Sequence, residues 1–251
     1  MLKFLSKLFF ASIVIVSLFS CNAKAQSTKR ILFVVTSHSQ LGNSGKTTGY
    51  YLSEVSHPWK VLIEAGYEID IMSPQGGKAP YDESGFDMTD SINKEFWENE
   101  KYQGKIENTL KPSEVDPKDY RAIYYAGGHG TMWDFPNNKE IASIASEIYE
   151  NNGCIAAVCH GPAALLNIKM SDGKFLIAGK RINSFTNAEE ESINLQSEVP
   201  FALETALIEK GAIFEKSDLW QAHVVSDKRV ITGQNPASAK SVGEAIVKEL
   251  K

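Results

Sequence analysis

Cysteine and histidine are scarce in this 251-residue chain: three cysteines, Cys21, Cys154 and Cys159, and five histidines, His38, His57, His129, His160 and His223. None of them falls at the close Cys/His spacing of a zinc site, so no metal centre is expected. A disulfide framework is excluded as well. Cys154 and Cys159 lie in one predicted strand, where residues alternate faces and the rise carries these two too far apart for an S–S bond, so both are read as free thiols. Positive charge is short: 26 Lys and Arg against 31 Asp and Glu leave a formal charge of -5, which argues against nucleic acid as a partner. A complete phosphate loop is missing. Gly42-Asn-Ser-Gly45-Lys46-Thr47 lies between a strand and a helix, but position 40 is Gln where the Walker pattern requires Gly. No internal repeat and no second domain boundary interrupt the chain, and 43% hydrophobic residues supply one large core.

Long apolar runs are also lacking. The run from Leu8 to Phe19 is too short and too terminal for an ordinary spanning helix, and with Lys3 and Lys7 before it, it reads as a secretory signal. Its end, Leu18-Phe19-Ser20-Cys21, resembles the lipobox of bacterial lipoproteins, in which cleavage leaves the Cys lipidated at the new N-terminus. The expectation is therefore a signal and lipobox over residues 1–21, a polar tether over 22–29 and a single folded domain over 30–251. Cys21 would hold the protein to a membrane by a lipid, on the periplasmic or surface side of the cell envelope. A plain cleaved signal with Cys21 incidental is the alternative. Loss of the leader removes two lysines and no acids, so the body is more acidic still.

What is present begins with Arg30-Ile-Leu-Phe-Val-Val-Thr-Ser37, a continuous β-branched apolar run of the kind found in central parallel strands. Thr48 to Ala65 follows a helical pattern, with Pro58 placed to begin a second helical piece and Gly66 to stop it. Tyr67 to Ser73 reads as a second strand. Residues 84–118 carry charge and aromatics without strand alternation, and are expected to form a helical insertion over one edge or over the site, as a lid. Tyr120 to Ala126 is a third strand, ending in Gly127-Gly128-His129-Gly130, where glycines permit close backbone approach and N–H groups can turn toward negative charge. A helix over about 138–151 returns to a fourth strand. The tail is expected to hold a strand and turn over 175–183, a short helix near 199–210, a strand at 212–215, a hairpin around Asp227-Lys228 and a final helix. Everything after Ile231 reads as scaffold. Alternating β and α units imply an α/β fold, a doubly wound, mostly parallel, flavodoxin-like sheet sandwiched by helices. Ligands bind such sheets at the carboxyl ends of the strands.

The stretch around which the rest is organised is Gly153-Cys-Ile-Ala-Ala-Val-Cys159-His160-Gly161-Pro162-Ala163. Ile155 to Val158 is a short buried strand, and Gly161-Pro162 turns the chain into a new helix, so Cys159 occupies a nucleophile elbow. Helix-terminal N–H groups there favour a thiolate and lower the pKa of the cysteine. Against this stands the plain reading of a cysteine as a small buried hydrophobe.

Together, Ala157-Val-Cys159-His160-Gly161-Pro162, Gly127-Gly-His-Gly130-Thr-Met-Trp-Asp-Phe135 and Ile231-Thr-Gly-Gln-Asn-Pro-Ala-Ser238 resemble the DJ-1/PfpI superfamily, also called class I glutamine amidotransferase-like. Gly66-Tyr-Glu-Ile-Asp-Ile-Met-Ser-Pro-Gln-Gly-Gly77 is similar to the subgroup of stress-induced chaperones and glutathione-independent glyoxalases. The resemblance implies Cys159 as nucleophile, His160 as its adjacent base and Glu190 as the acid completing a triad. Glu54 would be the glutamate beside the thiol, and Gly128 with the His160 N–H the oxyanion site. Glu189 and Glu191 flank Glu190, so the triad acid is a choice among three neighbours. The implied activity is that of a cofactor-independent glyoxalase III-like hydro-lyase, of D-lactate dehydratase type, converting methylglyoxal or a related small dicarbonyl to a hydroxy acid without metal or glutathione. A PfpI-type cysteine peptidase or amidase and a non-enzymatic holdase chaperone are the alternatives, and a homodimer is left open. Glutamine amidotransfer is disfavoured, since the late His223 is followed by Val224-Val225 and not by a His-x-Glu pattern.

Overall fold

The computed structural model describes residues 29–251. The expected signal, the Cys21 lipid site and all but the last residue of the tether lie outside the described residues.

A six-stranded sheet forms the centre. In chain order its first half comprises β1 (Arg30–Val34), α1 (Leu52–Glu64), β2 (Glu68–Met72), α2 (Ser91–Trp97), α3 (Glu100–Glu107) and β3 (Ala122–Tyr125). Then come α4 (Thr131–Asp134), α5 (Lys139–Glu150), β4 (Cys154–Val158), β5 (Arg181–Ile182), α6 (Asn187–Ser192) and α7 (Leu203–Glu209). The chain closes with β6 (Ile213–Phe214), β7 (Val224–Asp227), β8 (Val230–Gly233) and α8 (Ala239–Glu249). The strand order is β2-β1-β3-β4-β8-β7, and every pairing is parallel except that of β7 with β8. This is the doubly wound α/β sheet expected; β5 and β6 form a separate parallel pair.

The continuous apolar strands are explained by burial on both faces. Ile31 and Phe33 of β1 point into one core layer with Leu52, Val55 and Trp59 of α1 and Val242 and Ile246 of α8. Leu32 and Val34 point into the other, with Ile141, Ile144 and Ile148 of α5. Those isoleucines recur every three or four residues, so one stripe of α5 faces the sheet. The helix starts where Asn138 accepts from the N–H groups of Glu140 and Ile141.

Four expectations change. Pro58 does not begin a second piece but lies inside a single helix α1. A proline has no N–H to return to the carbonyl four residues earlier, which here is Glu54, and the Tyr124 hydroxyl donates to that carbonyl instead at 2.5 Å. The insertion is not a lid. Phe96 of α2 and Tyr102 of α3 pack edge-on against Trp59 and belong to the core, since their aromatic area is better buried on α1 than left over an opening. The segment after Cys159 is a 3-10 helix, Gly161–Asn167, and not an α-helix. The strand expected over 175–183 contracts to Arg181–Ile182, after a turn-rich stretch.

Candidate active site

β4 delivers Cys159 to the carboxyl edge of the sheet in the left-handed backbone region, φ 58°. A non-glycine residue there is strained, and two hydrogen bonds hold it. The Cys159 N–H donates to Gly233 O at 2.9 Å and the Phe185 N–H donates to Cys159 O at 2.7 Å. The Thr131 hydroxyl lies 3.0 Å from the carbonyl of Gly128 and 3.1 Å from that of His160, joining the loop after β3 to the elbow. Gly128 has φ 94°, and a Cβ on it would come within 2.1 Å of Gly49 O. Only glycine fits. Neither the Gly128 N–H nor the His160 N–H donates to a protein oxygen among the described residues, and the Gly128 N–H faces the Cys159 sulfur. Two free donors beside a nucleophile are the parts of an oxyanion site.

His160 Nδ1 is 3.2 Å from Cys159 Sγ, and its Nε2 is 2.8 Å from Glu190 Oε2. The other Glu190 oxygen, Oε1, lies 2.9 Å from Nε2 of His129. Burial would raise the Glu190 carboxyl, but the two imidazole N–H groups win and hold it well below the usual carboxylate range. Burial, then the neighbouring His129, push His160 down from its ordinary value, so it is a neutral base at pH 7. The donor atoms of His129, His160 and Glu190 lie within 4.8 Å of one another, a spacing three ligands of one ion can have. Both carboxylate oxygens accept from the rings.

Glu54 projects from the first turn of α1, fully buried. The Gly127 N–H donates to its Oε2 at 2.7 Å, and Oε1 has no hydrogen-bond partner among the described residues. Burial raises the Glu54 carboxyl to about 8, so it carries a proton at neutral pH. The Cys159 thiol is also pushed up, by burial first and by a Glu54 charge second. This reverses the expected lowering: the elbow is buried and the helix after it is short. With Glu54 protonated, the negative charge that opposes a thiolate is gone.

Above the thiol opens a cavity of about 690 Å³, lined by Lys46, Tyr51, His129, Phe185 and Trp220 among others. The tail that reads as scaffold in sequence supports it. Glu189 Oε1 accepts from Gln234 Nε2 at 3.1 Å, from Asn235 Nδ2 at 2.8 Å and from the Trp220 N–H at 2.9 Å. Pro236 reaches the cavity wall.

The DJ-1/PfpI family model matches residues 47–249. The chain belongs to the DJ-1/PfpI family. Among curated relatives, glyoxalase 3 of Candida albicans is 32% identical over 87% of this chain and 97% of its own. The glutathione-independent glyoxalase HSP31 of Saccharomyces cerevisiae is 35% identical over 89% and 98%. Among solved structures, the 24 kDa rapid encystment protein of Francisella tularensis superposes with TM-score 0.86 at 42% identity, covering 89% of this chain and all of that one. Glyoxalase III of Candida albicans does so with TM-score 0.81 at 31% identity, covering 88% and 97%.

Within this DJ-1/PfpI domain the structure brings together every site residue expected in the described region: Cys159, His160, Glu190, Glu54 and Gly128. It separates the three glutamates. Glu190 reaches His160, Glu189 closes a capping box with Thr186 and ties down the tail, and Glu191 is exposed. Sequence reasoning missed His129, Trp220 and the Glu189 network. His129 had a signal, since it sits in the quoted Gly127-Gly-His-Gly130 loop. Trp220 had none, because its place depends on a left-handed turn, φ 62°, held by a distant carboxylate.

Proposed function

We propose that this chain is a cysteine-dependent glyoxalase of the glutathione-independent type, converting methylglyoxal or a related dicarbonyl to a hydroxy acid. The observation that carries it is the pairing of Cys159 Sγ with a neutral His160 at 3.2 Å, beside a fully buried, protonated Glu54 and two free N–H groups. The thiol proton passes to His160 Nδ1, the sulfur adds to the aldehyde carbon, and the Gly128 and His160 N–H groups take the developing oxyanion. The aldehyde hydrogen then leaves as a proton and returns to the neighbouring carbon through an enediol. The aldehyde carbon rises to the acyl level and the ketone carbon falls to the alcohol level. The resulting thioester is cleaved by water, releasing lactate and the thiol. Ketoaldehyde plus water gives hydroxy acid, with no external oxidant or reductant.

The test is lactate formation from methylglyoxal by residues 23–251 without added glutathione. Turnover is expected, and it should vanish in Cys159→Ala. A folded, reduced wild-type protein that makes no lactate overturns the reading.

The same proposal places the enzyme in the cell envelope on a lipid at Cys21, on the support of the Leu18-Phe19-Ser20-Cys21 pattern. A Cys21→Ser protein that stays in the membrane fraction removes that part. It also takes the enzyme as a homodimer, on the support of the half-exposed Ile208 and Ile213; a light-scattering mass of one chain removes it.

A further inference from the structure

The reaction above needs two proton transfers, one at sulfur and one at carbon, and His160 is placed for the first alone. Its Nδ1 is 3.2 Å from Cys159 Sγ, its Nε2 is 2.8 Å from Glu190, and its side chain is 1% exposed between the rings of Phe185 and His129. Glu54 is fully buried, held by the Gly127 N–H, and does not line the cavity. His160 and His129 both line it, but His160 has both ring nitrogens engaged, whereas the His129 side chain is 13% exposed. Its Nε2 sits 2.9 Å from the free oxygen of Glu190, and its Nδ1 has no hydrogen-bond partner among the described residues.

An ionised carboxylate only accepts, so Glu190 takes an Nε2–H from each ring, which fixes the Nε2–H tautomer of an imidazole that carries a single proton. Each ring then has a lone pair on Nδ1. On His160 it meets the thiol, and on His129 it is left for the cavity. We propose that His129 is a second catalytic histidine, carrying the substrate's carbon-bound proton while His160 serves the sulfur. The proposal rests on the dicarbonyl reading above.

In this scheme His129 Nδ1 removes the hydrogen of the sulfur-bearing carbon, and the electron pair of that C–H bond becomes the C=C bond of the enediol. The proton that His160 took from sulfur converts the oxyanion to a hydroxyl, and the carbonyl oxygen of the neighbouring carbon takes that hydroxyl proton. The resulting imidazolium is stabilised across the ring by Glu190. It then returns its proton to the neighbouring carbon as the thioester carbonyl forms. His129 ends neutral, and the net change is an isomerisation.

The experiment compares wild type, His129→Ala and His129→Gln for lactate formation, together with alkylation of Cys159 by iodoacetamide in the presence and absence of methylglyoxal. Glutamine can still donate to Glu190 but has no basic nitrogen, so it separates proton transfer from positioning. Expected is a fall in kcat of about 100-fold or more in both variants. Cys159 alkylation should stay within about threefold of wild type and still be blocked by methylglyoxal, showing that addition at sulfur persists. A substrate deuterated at the aldehyde carbon should show a larger isotope effect on kcat in His129→Gln than in wild type. Wild-type-like kcat in the glutamine variant, with loss only in the alanine variant, would make His129 a positioning residue and overturn the proposal. Loss of alkylation in both variants overturns it too, because the ring would then act through the sulfur. No lactate from the wild type overturns the dicarbonyl reading itself, a result distinct from either of these.

Discussion

Two cysteines stand at the two ends of one strand. Cys154 is the first residue of β4 and Cys159 follows its last, and burial pushes both thiols up from their ordinary value. Burial therefore does not separate them. Cys154 has ladder geometry and packs into the layer beneath α1 and α8, where it serves as a small apolar side chain. Cys159 sits where the chain leaves the sheet, with φ 58°, an imidazole at 3.2 Å and a cavity above it. Parallel strands aim their carboxyl ends at one edge, where the loops are free to diverge, so the same residue type becomes core at one end and nucleophile at the other.

The sharpest break of that comparison is Cys159→Ala against Cys154→Ala. The first should abolish lactate formation, a loss of at least about 1,000-fold, and the second should leave kcat within about twofold while costing about 1 kcal/mol in thermal unfolding. Equal loss of activity in both would mean that β4 as a whole matters, and the elbow does not.

The three glutamates extend the contrast. Glu190→Gln should lower kcat about 100- to 1,000-fold with little change in stability. Glu189→Gln should do the reverse, costing about 2–3 kcal/mol in urea unfolding because it accepts five donors inside the domain. Glu191→Gln should do neither.

Glu54 gives a dependence on pH. Its carboxyl holds a proton to about 8 in the folded protein, against an ordinary 4.5, because burial penalises its charge. A pKa raised on folding contributes stability that is complete below pH 4.5 and is lost as pH rises toward 8. Glutamine has no such titration and can still accept from the Gly127 N–H. The excess melting temperature of Glu54→Gln over wild type should therefore grow from pH 5 to pH 8 and then level off. A difference constant across that range removes the protonated Glu54.

The smallest effect concerns Tyr124. Tyr124→Phe leaves the Glu54 carbonyl without a donor, since Pro58 cannot supply one, and should cost about 1–2 kcal/mol. Restoring an N–H with Pro58→Ala in the same chain should recover part of it, read by the same urea unfolding.

Most of the sheet and the nucleophile were legible because their signals are local. Continuous apolar runs mark strands buried on both faces, and a strand ending in Cys159-His160-Gly161-Pro162 marks the elbow. Pro58 was misread as a boundary because a Tyr124 hydroxyl 66 positions away satisfies the carbonyl that the proline releases. The tail was read as scaffold, although its Gln234 and Asn235 stand in one of the motifs that carry the resemblance, because their partner, Glu189, is set only by the fold.

By itself the sequence determined a parallel sheet with a cysteine at its carboxyl edge, because hydrophobic periodicity and turn residues act between neighbours along the chain. Only the tertiary structure decided which glutamate meets His160, that His129 shares the same carboxylate, and that Glu54 keeps its proton. Those outcomes depend on distances of about 3 Å between residues far apart in sequence and on the exclusion of water from the space between them.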